Sequence, residues 1–284
     1  MINRGPPTAF ELGEHRYDLS HRALVVAILN RTVDSFYDGG AYVRRDAFLR
    51  QAERLVSDGA DVVEVGARAA GVGTRDVTAA AETDLVAASV AALRDRFDVP
   101  IAVDTWRACV AEAAFAEGAV LGNDISGFAD DGYLPAVAVA GASVVATHIR
   151  LQPQVPDPDP VYDDVVTDVA AALRRLAGEA AAAGIPACRV VVDPGLDLGK
   201  TWQQSVRLLA NMEVFAALGH PLLLAASNKI FLGRLLGLDA DERHDATVAA
   251  CVAGLERGAR LLRVHDARGG RHAADLVTAL WADA

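Results

Sequence analysis

The chain of 284 residues has 27 lysines and arginines against 38 aspartates and glutamates, a formal net charge of −11, and 52% of its residues are hydrophobic. This acidic balance argues against a nucleic-acid-binding face and against a polybasic membrane anchor. The three cysteines, Cys109, Cys188 and Cys251, are too few and too scattered for a disulfide framework or a zinc site. We therefore expect a cytoplasmic protein that has neither nucleic acid nor a membrane as its partner.

Eight short apolar segments alternate with longer segments of helical spacing. In chain order, the predicted strands are 24–29, 62–66, 100–104, 119–124, 143–148, 189–193, 221–227 and 259–265. The predicted helices are 44–57, 79–96, 107–117, 133–140, 161–183, 202–218, 241–256 and 271–281. Continuous apolar strands are typical of a parallel sheet that is buried on both faces.

Eight such β–α units predict a single-domain (β/α)8 TIM barrel over residues 22–284. A doubly wound open sheet is the alternative, but no G-x-G-x-x-G turn follows the first strand. Residues 1–21 form a separate amino-terminal extension, in which the alternation around Gly13 and Glu14 predicts a hairpin against the barrel floor.

Polar side chains end seven of the eight predicted strands. They are Asn30, Asp104, Asn123 with Asp124, His148 with Arg150, Asp193, Ser227 with Lys229, and Arg263 with His265. In a TIM barrel these ends meet at one mouth, where the chemistry takes place. The alternative is that such residues only cap helices or turns, as the Asp193-Pro194-Gly195 sequence also suggests. The repetition over seven strands favours a functional pocket.

The side chains of this predicted pocket fall into two sets. Carboxylates and an amide, which suit a flat ring with several N–H donors, come from Asp104, Asn123 and Asp193. Cationic or cation-capable groups, which suit a phosphate or a pyrophosphate, come from Lys229, Arg263 and His265. Asn30 is suited to orient a metal-bound phosphate oxygen. The combination predicts a ligand in which a nitrogen heterocycle is joined to a phosphate group.

Six segments resemble, in order, the motifs of the dihydropteroate synthases. They are NRTVDSFYDGG (30–40), IAVDTWRACVAEAA (101–114), GNDISG (122–127), DPGLDLGKT (193–201), SNKIFLG (227–233) and RVHD (263–266). The resemblance implies a (β/α)8 barrel, a homodimer and the use of Mg2+. It also implies a reaction that joins 6-hydroxymethyl-7,8-dihydropterin diphosphate to p-aminobenzoate in folate synthesis.

The same resemblance assigns roles to individual positions. Pterin recognition falls on Asp104, Asn123, Asp193 and Lys229. Pyrophosphate binding falls on Asn30, Arg263 and His265, with Asn30 also at the Mg2+ ion. Lys229, Arg263 and His265 are the implied catalytic residues. In the family, pyrophosphate departs first, and the arylamine then captures the pterin methylene cation.

The chain departs from the family pattern around the second strand and near position 229. After the second strand the family has the sequence G-G-E-S-T-R-P-G, which corresponds to residues 66–73 here. The Ser, Thr and Arg of that sequence are replaced by Ala69, Ala70 and Gly71. In the S-R-K-S motif, Asn228 replaces the Arg and Ile230 replaces the second Ser. In the D-P-G-x-G motif, Asp197 replaces the second Gly. Arginines in the altered loops, which can compensate for the lost one, are Arg31, Arg68 and Arg75. The pattern resembles divergent actinobacterial-type paralogues, so we expect activity with p-aminobenzoate to be weak or lost.

Three hypotheses follow from this resemblance. The chain is a working synthase with rearranged loops, a noncatalytic pterin-binding or regulatory protein, or a pterin transferase with another acceptor. The corrinoid-dependent methyltetrahydrofolate methyltransferases share the barrel but lack the N-x-T-x-D-S-F-x-D-G-G segment, which disfavours them.

Overall fold

The computed structural model describes residues 9–30, 41–67 and 77–282. These ranges contain ten strands. They are β1 (Ala9–Leu12), β2 (His15–Asp18), β3 (Leu24–Asn30), β4 (Val62–Gly66), β5 (Ile101–Asp104), β6 (Leu121–Asp124), β7 (Ser143–Thr147), β8 (Val190–Asp193), β9 (Leu223–Leu224) and β10 (Leu261–Val264). The last eight form one parallel sheet in the order β8-β7-β6-β5-β4-β3-β10-β9. A parallel bridge between Val192 and Leu222 joins its two ends, so the predicted (β/α)8 barrel is confirmed.

Helices alternate with these strands along the chain. They are α1 (Ala41–Ser57), α2 (Ala79–Arg94), α3 (Ala108–Ala116), α4 (Tyr133–Ala140), α5 (Val165–Ala182), α6 (Trp202–Ala210), α7 (Met212–Ala216), α8 (Ile230–Leu236), α9 (His244–Glu256) and α10 (Ala267–Ala282). None of the helices in the described ranges is long and apolar enough to cross a membrane.

Two predicted elements differ from the structure. The helix predicted over 202–218 is divided at Asn211, whose backbone at φ −124° does not continue the helix. The strand predicted over 221–227 is regular only at Leu223–Leu224, because the chain then turns into α8. The sequence predicted neither the break nor α8. A helix of seven residues, such as α8, is too short to show a clear hydrophobic period.

Alternation along the strands divides the core into two layers. Outward side chains such as Val63 and Val65 pack beneath the helices, whereas inward ones such as Val62 fill the barrel. The floor of the barrel is closed by Phe10 and Leu12, which are fully buried. These come from the antiparallel β1–β2 hairpin, as the sequence predicts. The apolar plug leaves the opposite end of the barrel for polar side chains.

Candidate functional site

A row of polar side chains crosses neighbouring strands at the carboxyl end of the barrel. Strand register places Asn30 beside Gly66, Gly66 beside Asp104, and Asp104 beside Asn123. A Cβ atom on Gly66 would lie 3.2 Å from Asn30 Oδ1 and 3.6 Å from Asp104 Oδ2. The missing side chain therefore lets these two groups approach each other. The structure brings together Asn30, Asp104 and Asn123 as the sequence predicts.

Glu64 lies among these residues and was missed by the sequence prediction. Its side chain is 1% exposed, and Oε2 accepts a hydrogen bond of 2.9 Å from Nδ2 of Asn123. Oε1 accepts a bond of 2.7 Å from Nε of Arg263. The available signal was a carboxylate inside an otherwise apolar strand, two residues before Gly66 and thus on the same inward face.

Arg263 is shared between two carboxylates. Its Nη2 atom lies 2.5 Å from Oε1 of Glu64 and 2.6 Å from Oδ2 of Asp104. Although burial opposes the charge, the two carboxylates raise the pKa of Arg263 above its ordinary value. Burial, with the Glu64 carboxylate adding to it, raises the pKa of Asp104 to about 7 despite the guanidinium. One cation thus serves two acids, and Asp104 is the one that gains a proton near neutral pH.

The raised pKa of Asp104 predicts a pH dependence of stability. The folded protein retains a proton on Asp104 that the unfolded chain releases near pH 3.8, so the free energy of unfolding falls as the pH rises from about 4 to about 7. Each unit of difference between the two pKa values corresponds to about 1.4 kcal/mol at most. We expect Asp104→Asn to flatten this part of the profile, measured by urea unfolding at closely spaced pH values. An Asp104→Asn profile that is parallel to the parent's between pH 4 and 7 would contradict the assignment.

Two buried oxygens in the mouth have no hydrogen-bond partner among the described residues. They are Oδ1 of Asn123 and Oγ1 of Thr147. Because Nδ2 of Asn123 is bound to Glu64, the amide presents its carbonyl oxygen as the open group. Buried polar atoms are normally paired, so these acceptors are suited to N–H groups of a ligand.

Asp193 and Lys229 combine a structural and a site role. Oδ1 of Asp193 accepts a 2.8 Å bond from the Gly195 amide, so the turn interpretation of this residue is confirmed. Burial raises the pKa of Asp193, and the Lys229 charge opposes that shift. Lys229 in turn donates to the Leu196 carbonyl, and burial lowers its pKa. The two groups lie close enough to influence each other and still belong to the mouth.

Three other polar residues at the strand ends are engaged by partners in the surrounding loops. Asp124 accepts bonds from the amides of Ser126 (2.6 Å) and Phe128 (3.1 Å). Nδ1 of His148 lies 2.9 Å from Nζ of Lys200, and burial followed by this lysine lowers the pKa of His148 to about 3. The third residue, Arg150, is paired with an aspartate of the following loop. For these three, the structural alternative is the better interpretation.

His265 faces a different neighbour from Arg263. Its Nδ1 atom lies 2.9 Å from Oγ of Ser227, and Ser227 also accepts the His265 backbone N–H at 3.1 Å. Burial lowers the pKa of His265, and the Arg263 charge adds to the effect, which favours the neutral imidazole. His265 and Ser227 line a cavity of about 230 Å3 together with His244 and Thr247. His265 is therefore a hydrogen-bonding group and not a permanent cation.

The departures around Lys229 preserve the loop. Asp197, at φ 66°, accepts bonds from the Ser205 hydroxyl (3.0 Å) and the Phe231 amide (3.1 Å). Asn228, at φ 56°, is a residue that tolerates the left-handed conformation, and its N–H donates to the Thr247 hydroxyl. Ile230 is 61% exposed, so it offers an apolar surface where the family motif has a hydroxyl.

The altered second-strand loop lies outside the described residues. This applies to Ala69, Ala70 and Gly71, and equally to the arginines predicted to compensate, Arg31, Arg68 and Arg75.

The pterin binding enzyme family profile matches residues 26–265, which span the barrel and every residue of the polar mouth. The chain belongs to this family. Among its relatives is the dihydropteroate synthase of Bacillus subtilis, 34% identical over 248 residues, which cover 87% of this chain and 85% of the relative. Inactive dihydropteroate synthase 2 of Mycobacterium tuberculosis is 38% identical over 271 residues, covering 91% of this chain and 83% of the relative.

Solved structures of dihydropteroate synthases have the same fold as this pterin-binding family member. The enzyme of Yersinia pestis with a sulfonamide drug complex superposes with a TM-score of 0.89 at 34% identity, covering 96% of this chain and 99% of that one. The Burkholderia cenocepacia enzyme complexed with 7,8-dihydropteroate superposes with a TM-score of 0.87 at 36% identity, covering 98% of each chain.

Proposed function

We propose that this family member binds a pterin in the barrel mouth, as a dihydropteroate synthase-like protein of folate synthesis. The observation that carries the proposal is the buried acceptor Oδ1 of Asn123, which lies in the same mouth as Asp104, Asp193 and Lys229. A pterin presents N–H donors on one edge and a carbonyl and ring nitrogens on another. The carboxylates and the amide suit the donors, and the ammonium of Lys229 suits the acceptors.

These residues support the transfer of a pterin methylene group from its diphosphate to p-aminobenzoate. In a dissociative step, positive charge develops on the methylene group and negative charge on the departing pyrophosphate. The carboxylates of Asp104 and Asp193 stabilise the positive charge on the methylene group. Lys229 and Arg263 stabilise the negative charge on the pyrophosphate. His265, whose lowered pKa favours the neutral imidazole, donates a hydrogen bond to the leaving group.

Mg2+ is proposed as the cofactor, with Asn30 as its protein ligand. Asn30 ends β3 in an exposed position, and its Oδ1 atom is a hard oxygen beside Asp104. The described residues contain no group of three His, Cys, Asp or Glu side chains that would hold a metal ion. A single protein oxygen suits Mg2+, which takes its other ligands from phosphate and water. The ion would neutralise charge on the diphosphate.

We propose that activity with p-aminobenzoate is weak or lost. The support is the replacement of three polar loop side chains by Ala69, Ala70 and Gly71, and the exposed Ile230 at the mouth. A 38% identical relative carries the name inactive dihydropteroate synthase 2, which favours a second candidate function, a noncatalytic pterin-binding or regulatory protein. The third candidate function is a pterin transferase that uses an acceptor other than p-aminobenzoate. Complementation of a folate-synthesis knockout separates a working synthase from the other two.

Pterin binding should depend on Asp193. We expect 6-hydroxymethylpterin to bind the parent protein and Asp193→Ala to bind at least about tenfold more weakly, because a charge-assisted bond is removed. Isothermal calorimetry measures both. Asp84→Ala, at an exposed position of α2, is the matched control and should bind as the parent does. Equal affinity of Asp193→Ala and the parent would contradict the proposed ring site.

A homodimer is expected from the family resemblance. Leu276 and Leu280, one helical turn apart on α10, are 57% and 55% exposed and suit a contact with a second chain. Light scattering should give twice the chain mass of 29.8 kDa. A mass equal to one chain at micromolar concentration would contradict the dimer.

A further inference from the structure

The buried Glu64 forms two contacts that no catalytic role requires. Its two carboxylate oxygens bind different partners, Oε2 the amide of Asn123 and Oε1 the guanidinium of Arg263. We propose that Glu64 is a positioning residue that fixes Asn123 and Arg263 at the level of the ring, and that its charge weakens the attraction of Arg263 for a pyrophosphate. This inference rests on the proposed function as a pterin site.

The first part of the argument concerns the orientation of an amide. An asparagine side chain can present either its oxygen or its nitrogen to a ligand. Both oxygens of Glu64 accept hydrogen bonds, so Glu64 binds the Nδ2 side of Asn123 and leaves Oδ1 open. The pocket is thereby committed to a ligand that offers an N–H donor at this point. A neutral glutamine at position 64 would permit both orientations of Asn123.

The second part concerns the charge that remains for an anion. Nε and Nη2 of Arg263 are both bound to carboxylates, those of Glu64 and Asp104. A guanidinium paired in this way attracts a pyrophosphate less strongly than a free one, because the carboxylates repel the anion.

The test compares three ligands on four proteins by calorimetry without added metal. The ligands are 6-hydroxymethyl-7,8-dihydropterin, its diphosphate and inorganic pyrophosphate. The proteins are the parent chain, Glu64→Gln, Glu64→Asp and Glu82→Gln. Glu82 is the matched control because it is equally buried and accepts hydrogen bonds from Thr105 (2.7 Å) and Arg107 (2.8 Å) rather than from Asn123 and Arg263.

Glu64→Gln should bind pyrophosphate about tenfold more tightly than the parent, because a negative charge beside Arg263 is removed. The same variant should bind the uncharged pterin about tenfold more weakly, because Asn123 is no longer held in one orientation. Glu64→Asp keeps the charge but is one methylene shorter, so it should weaken the uncharged pterin and leave pyrophosphate unchanged. Glu82→Gln should change neither affinity, even where its melting temperature falls.

Equal loss for all three ligands in Glu64→Gln, or no change for any, would overturn the inference and leave the proposed function standing. If the parent binds no pterin, the proposed function fails, and a gain in pyrophosphate affinity in Glu64→Gln would still support the charge role. If Glu64→Gln does not fold, the Glu64→Asp variant tests the positioning role. If Glu64→Asp binds the uncharged pterin as tightly as the parent does, the positioning role is refuted.

Discussion

Dihydropteroate formation from the pterin diphosphate, Mg2+ and p-aminobenzoate should run at least about a hundredfold more slowly than in a family member with the intact second-strand loop. Loss of one preorganised donor to a developing anion costs about a hundred- to a thousandfold in rate. Here Ala69 and Ala70 carry no side-chain donor, and Gly71 raises the entropic cost of ordering the loop. Ile230 also places an exposed apolar side chain where the family motif has a hydroxyl. Product formation is followed by chromatography, with the B. subtilis enzyme as the reference.

Grafting the family residues tests whether the loop is the cause. The graft combines Ala69→Ser, Ala70→Thr, Gly71→Arg, Val72→Pro and Ile230→Ser. We expect it to raise turnover by at least about tenfold, the effect of restoring one charge-assisted bond. The single change Ile230→Ser is the control for the benzoate side alone. Turnover in the parent chain comparable to that of the reference enzyme would refute the prediction, and a further Arg68→Ala variant would then show whether that arginine substitutes.

Removing the shared guanidinium should have the largest effect on stability. Arg263→Met leaves the carboxylate of Glu64, which is 1% exposed, without its cation, and breaking a buried ion pair in this way costs about 3–5 kcal/mol. Asp104 loses the same partner, and its proton uptake moderates the loss at low pH. Urea unfolding at pH 8, above the pKa of about 7 of Asp104, measures the change in the free energy of unfolding.

An exposed ion pair provides the matched control. Arg268 pairs with Asp58 at 2.6 Å, but its side chain is 69% exposed and the pair is screened by solvent, so Arg268→Met should change the free energy of unfolding far less than Arg263→Met. The double variant Glu64→Gln with Arg263→Met should recover a large part of the loss, because the buried Glu64 carboxylate no longer remains without its cation. If Arg263→Met and Arg268→Met destabilise equally, the interior pair does not have the role we assign to it.

The sequence by itself determined the barrel and the end of it where the polar residues collect. Apolar strands and their spacing are local features, and the parity of a strand decides which side chains face inward. This is why Asp104, Asn123 and Asp193 were predicted correctly as neighbours of one mouth. The hairpin against the barrel floor, with Phe10 and Leu12 buried, follows from the same alternation.

Only the tertiary structure decided which polar residues bind one another. Glu64 and Arg263 are 199 positions apart and meet because β4 and β10 both pair with β3, so that their inward side chains lie two strands apart in the sheet. Asp124 and His148 looked equivalent to Asp104 in the sequence, yet backbone amides of its own loop engage Asp124, and Lys200 from the loop after β8 engages His148. Such choices depend on distances set by packing, because a carboxylate binds the donor that lies nearest in space and not along the chain.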